Sequence, residues 1–129
     1  MQVTYTRLYT DSQGLSRFED MSTDLKPGFA VPPAEPLHVA QFLGTEGSYW
    51  VGVPSDWNGD VVHPTPRRQI FVTVRGEYEV TTGDRTARRF PVGSVLLVED
   101  TTGVGHASKI TSEQEVLIFA VGLPPNAPD

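Results

Sequence analysis

The chain has 129 residues, enough for one hydrophobic core and too few for two ordinary domains. It contains no cysteine, which excludes both a disulfide framework and a thiolate metal site. Its formal net charge of −6 argues against general nucleic-acid binding, which depends on Lys and Arg neutralising phosphates.

The N-terminal residues carry no secretory signal pattern, and no apolar run approaches the ~18–20 residues of a membrane span. The expectation is therefore a soluble, cytoplasmic protein. Eleven prolines and twelve glycines leave little room for a long helix. Residues 1–39 read as an arm packing on the rest of the domain. Within them Arg17–Met21 suits a short strand, and Pro27–Pro36 an extended segment, because proline fixes φ and removes donors. Beyond the arm, Ser48–Val53, Gln69–Arg75, Glu77–Thr81, Ser94–Val98, His106–Ile110 and Glu115–Val121 all have strand character. Glu77–Arg88 reads as a hairpin with Gly83-Asp84 as a two-residue tip, which would set Glu79 opposite Arg88. Most basic residues lie between Arg67 and Lys109, interleaved with acids, so cross-strand ion pairing is their expected use. Residues 122–129 read as a flexible tail, loosely ordered over Pro124–Asp129. Short strands with tight turns point to an all-β sandwich or barrel.

Successive side chains of a strand point to opposite faces. If Gln69 faces the interior, Phe71 and Thr73 do too, and Ile70, Val72 and Val74 face outward and need a cover. Val116–Val121 is likewise apolar on both faces. The N-terminal segment or a second subunit would serve, and a homodimer is the preferred reading.

His63, Thr65, Gln69 and Gly76, followed by Pro91-Val92-Gly93 and His106, resemble the two consensus motifs of the cupin superfamily. The first motif is His-x-His, three or four residues, Glu, six residues and Gly; the second has Pro-x-Gly and a later His. Placing Gly76 on the final glycine puts His63 on the first His, Thr65 on the second and Gln69 on the Glu. The interval from Gly93 to His106 is longer than in the usual motif. The resemblance covers residues 40–121. It implies a jelly-roll barrel, or double-stranded β-helix, of the RmlC-like type over 40–121.

It also implies a site. Cupins that bind metal usually hold it with three His and one Glu facing the barrel interior. Here His63 and His106 keep their residue, Gln69 puts a neutral amide in place of the carboxylate, and Thr65 replaces an imidazole. A His63–Gln69–His106 set would leave positions open for water or substrate on one divalent metal, iron, manganese, nickel or zinc. Without a metal, the same residues would hydrogen-bond a small ligand. Arg67 or Arg68, just before the Gln69 strand, could clamp an anionic group at the mouth. Tyr49, Trp50, Trp57, Phe71 and Tyr78 are candidate pocket aromatics, with the core as the alternative for most. Asp100 or Glu99 could orient a site histidine or act in proton transfer; capping of the Gly103-Val104-Gly105 loop is the alternative. His38, the only other histidine, lies outside both motifs, and closure over the mouth from the N-terminal arm is a lesser reading for it.

Two functions follow. One is a metal-dependent oxygenase, isomerase or lyase acting on a small organic molecule. The other is a metal-free cupin binding a small molecule as sensor, carrier or acid–base catalyst. A storage or scaffold role fits the polar site residues least. Gln69 leaves the first two open.

Overall fold

The computed structural model describes residues 1–29 and 32–125, and no helix occurs among them. The strands are β1 (Gln2–Thr10), β2 (Ser16–Asp24), β3 (Lys26–Phe29), β4 (Leu37–Val39), β5 (Ser48–Val53), β6 (Gln69–Arg75), β7 (Tyr78–Thr81), β8 (Ala87–Phe90), β9 (Val95–Val98), β10 (Ala107–Ile110) and β11 (Val116–Gly122). They form a six-stranded sheet in the order β2-β1-β9-β6-β11-β5, a three-stranded sheet β10-β7-β8, and the small β3-β4 pair.

The irregular stretch between β5 and β6 acts as a fourth strand beside β10. Ser108 N donates to Gly59 O at 3.2 Å, and His63 and His106 exchange both backbone bonds. Counting this stretch and β5–β11 in chain order gives 1-8-3-6 in one sheet and 2-7-4-5 in the other. That is the strand order of a jelly roll. The core lies between the sheets, where Leu96, Val98, Ile118 and Ala120 meet Tyr78, Val80 and Phe90.

The first 24 residues are more than a wrapping arm. β1 pairs in parallel with β9 and antiparallel along its full length with β2, extending the large sheet by a hairpin. Thr, Tyr and Val favour a pleated surface, and Leu8 on β1 is fully buried in the core. At the hairpin turn, Asp11 Oδ1 accepts from the amides of Gln13 and Leu15, and the Arg17 guanidinium holds the Asp11 carboxyl below the usual carboxylate range. The predicted extended segment over 27–36 includes residues 30 and 31, and the predicted tail includes 126–129; both sets lie outside the described residues.

The β7–β8 hairpin differs from expectation by one residue. Its loop holds three residues rather than two: Arg85 N closes a turn on Thr82 O at 2.9 Å, and Arg85 then takes φ +67° before Thr86. Glu79 therefore opposes Arg89, with Nε to Oε2 at 3.3 Å. Arg88 opposes Val80 and pairs instead with Asp20 at 2.6 Å.

The outer face of the large sheet is partly covered by the chain itself. Ile70 and Leu97 are buried beneath Leu123, with Tyr5 and Leu43 packed alongside. Val74, also predicted to face outward, is exposed.

Below this face, Glu99 accepts from Arg7 Nε at 2.7 Å and from Arg68 Nε at 2.6 Å, joining the N-terminal hairpin to the lead-in of β6. Arg68 also donates to Pro124 O at 2.7 Å. Glu99 and Arg68 are both nearly enclosed, so removing the carboxylate strands cations with little water to take its place. Glu99→Ala is expected to cost about 3 kcal/mol in urea denaturation. A loss below about 1 kcal/mol, the range of an exposed pair, would contradict this assignment.

Candidate functional site

A cavity of about 260 Å³ opens between the sheets. Its walls are largely apolar: Val51 and Val53 from β5, Phe71 from β6, Val98 from β9, Ile110 from β10 and Ile118 from β11. Trp57, half exposed, stands at the rim with its ring over Gly59, where a Cβ would fall 2.2 Å from the indole. His63, Thr65, His106 and Ser108 supply polar groups to the lining, and Lys109 the charge.

The two histidines are brought together by backbone. His63 N donates to His106 O at 3.1 Å and His106 N to His63 O at 3.0 Å, and the ring centroids sit 5.7 Å apart. Gly105 permits this approach. Its φ is +83°, and a Cβ there would lie 2.0 Å from the His63 carbonyl carbon. The loop before His106 rests on the N-terminal hairpin through Val104 N to Gly14 O (2.9 Å) and Ser16 Oγ to Gly105 O (2.6 Å).

Asp100 is completely buried and does not line the cavity. Its Oδ2 accepts from His106 Nδ1 at 2.5 Å, while Oδ1 has no partner among the described residues. With Asp100 ionised its oxygens only accept, which places a proton on His106 Nδ1 and leaves Nε2 as the ring nitrogen turned away from Asp100. His63, which is exposed, has Nδ1 2.9 Å from the Pro64 carbonyl, an acceptor that favours a proton on Nδ1 there too.

Gln69 is buried and stands apart from the cavity lining. Its Nε2 donates to Thr65 Oγ1 at 3.0 Å, and its Oε1 accepts from the Tyr49 hydroxyl. The Thr65 hydroxyl donates onward to Arg67 O at 3.1 Å. The amide oxygen expected to complete a His63–Gln69–His106 set thus already has a donor. Two imidazole Nε2 atoms remain, one fewer than the three protein ligands of a catalytic metal. Among the described residues, no group of three or more His, Asp or Glu is placed to hold a metal. The donors present do not fit a three-ligand metal centre.

Of the other predicted substrate-binding residues, Phe71 lines the cavity and Tyr49 reaches it only through Gln69 and Thr65. Trp50 is on the outer face, 63% exposed, edge-on to Phe119. Adjacent residues of a strand cannot both face inward, and Tyr49, Val51 and Val53 take the inner positions. Arg67 lies away from the histidines and pairs with Glu46 at 3.6 Å. His38, on β4, is exposed and outside the lining. Val51, Val53, Ser108 and Ile110 were not predicted as site residues. Period-two counting from Tyr49 and from His106 finds all four.

The strand order and the interior cavity define a small jelly-roll barrel. No family model matches the chain, and none of the curated proteins matches it. Among solved structures it is similar to the cupin domain of Cnp3 from Schizosaccharomyces pombe, at 17% identity over 95% of this chain and 84% of that one, with a TM-score of 0.48. No helix among the described residues is long and apolar enough to cross a membrane.

Tyr78 packs its ring against the cavity and against Phe90, but its buried hydroxyl has no hydrogen-bond partner among the described residues. Burial pushes its pKa above the ordinary 10.0, and the nearby Thr73 hydroxyl offsets only part of the shift. A raised folded-state value means this contribution to stability is present below about pH 10 and lost as pH rises beyond it. Tyr78→Phe is expected to unfold at the same or a higher temperature at pH 7, and to lose less stability than the parent at pH 11. Marked destabilisation at pH 7 would reveal a partner for the hydroxyl.

Proposed function

We propose that the protein is a small-molecule-binding cupin that works without a metal, its cavity taking a compact, mainly apolar ligand held by His63 and His106. The observation carrying this reading is the pair of imidazoles at the wall of an otherwise apolar cavity, each with Nδ1 engaged by its own chain. Few converging polar groups on apolar walls are what ligand sites generally offer. About 260 Å³ equals roughly nine waters' share of liquid volume, which limits the ligand to a single ring or its equivalent.

Asp100 supports a second element of the reading. A buried carboxylate with one oxygen on His106 and the other unpartnered costs stability, and it is explained if the ring must be held in one orientation. This suits a sensor or carrier, and it is also how a histidine base is oriented in acid–base catalysts. The alternative, a metal-dependent oxygenase, isomerase or lyase, would need a third donor. If Gln69 were that donor, its amide oxygen would have to turn from the Tyr49 hydroxyl to the metal.

Thermal unfolding in the presence of single-ring compounds tests the proposal. A compound present at ten times its dissociation constant adds about 1.4 kcal/mol, which raises Tm by several degrees in a domain of this size. At least one compound is expected to do so for the parent and not for the His63→Ala/His106→Ala variant. No shift with any compound, or equal shifts in the variant, would overturn the reading.

A further inference from the structure

Resting on that reading, we infer that the cavity selects an uncharged ring bearing adjacent hydrogen-bond donors, of the catechol or vicinal-diol kind, and rejects carboxylates. The argument is one of proton placement. Asp100 Oδ2 and the Pro64 carbonyl are acceptors, and each draws the Nδ1 proton of its histidine at 2.5 and 2.9 Å. Taken as neutral, each imidazole has its one proton at Nδ1, so that Nε2 of His63 and Nε2 of His106 are both lone pairs. The rings are 5.7 Å apart between centroids, near enough for two neighbouring hydroxyls of one molecule to donate one bond each.

A carboxylate brings only acceptors and meets two lone pairs on largely apolar walls, where a charge without a partner is expensive to desolvate, most of all beside the deeper His106. Lys109 is the cation among the lining residues, and it is mostly exposed with its ammonium 3.5 Å from Glu79. It therefore offers little compensation at the depth of His106, which is 9% exposed.

Asp100 then sets specificity without touching the ligand. In Asp100→Asn the amide can donate to Nδ1, which moves the imidazole proton to Nε2 and turns one acceptor of the cavity into a donor. Ligand preference should move from hydroxyls toward carbonyl oxygens.

The test compares catechol, benzoate and benzaldehyde, three probes of matching size, by titration calorimetry. For the parent, catechol is expected to bind about tenfold or more tighter than either of the others, the effect of one unpaired buried polar group. In Asp100→Asn that order should move toward benzaldehyde. Long-range proton–nitrogen NMR of the parent supplies a readout independent of the variant's folding, with Nδ1 protonated and Nε2 bare expected in both His63 and His106. Preference for benzoate, or Nε2 protonated in either ring, would overturn the inference while leaving a small-molecule site intact. If Asp100→Asn folds and binds with the parent's preference, the positioning role of Asp100 is refuted. If no compound of any class binds the parent, the underlying reading fails with the inference.

Discussion

The site depends on one close approach, the backbone of His63 against that of Gly105 and His106. Two hydrogen bonds hold it, and it leaves no room for a Cβ at residue 105. Everything nearby serves it. The N-terminal hairpin carries the loop from below through Gly14 and Ser16. Thr65 N bonds to Asp100 O at 3.0 Å, so the same two chain segments are tied again where the polar side chains leave them. The irregular strand from Gly59 to Thr65 is held in the second sheet by these few bonds. Closing the barrel at this corner sets one histidine from each segment beside the same cavity.

Two neighbouring acids at the end of β9 do different physical work. Glu99 faces the outer side, between two guanidinium groups that fasten the extra hairpin and, through Pro124, the segment after β11 to the barrel. Asp100 faces inward and meets only an imidazole. Alternation along the chain separates a structural charge from one that sets the polarity of the cavity. The remaining basic residues of the central region are mostly consumed in ion pairs, Arg75 with Glu115, Arg89 with Glu79 and Arg88 with Asp20, leaving the surface without a strong basic patch there.

Much of the barrel was legible from period-two patterning. β5, β6, β7, β9, β10 and β11 fall within a residue of their predicted limits, because β-branched runs bounded by Gly and Pro leave few alternatives, whereas β8, expected only as the second arm of a hairpin ending at Arg88, runs on to Phe90. The N-terminal hairpin was harder to read. β1 mixes Thr, Tyr and a single buried Leu8, and its parallel pairing with β9 is a long-range choice that no local pattern encodes. The hairpin tip was misjudged by one residue because Arg85, not a glycine, takes the left-handed position, and a one-residue change exchanges every cross-strand partner. At the site, His63 and His106 were marked by their motif positions, and the link from Asp100 to His106 was one of two options. The engagement of Gln69 by Tyr49 and Thr65 was not visible, since it joins three strand ends whose proximity follows only from the closed barrel. Trp50 was misplaced by ignoring the alternation that Tyr49 imposes.

The account turns on whether His63 and His106 face their cavity as a pair of bare imidazoles or as ligands to a metal. Elemental analysis of the protein purified without chelator or affinity tag, beside its His63→Ala/His106→Ala variant, addresses this directly. Iron, manganese, nickel and zinc far below one equivalent in both proteins, also after incubation with each ion, is the predicted result. Near-stoichiometric metal in the parent that disappears in the variant would contradict it, and would mean that Gln69 or water completes a centre at these two histidines.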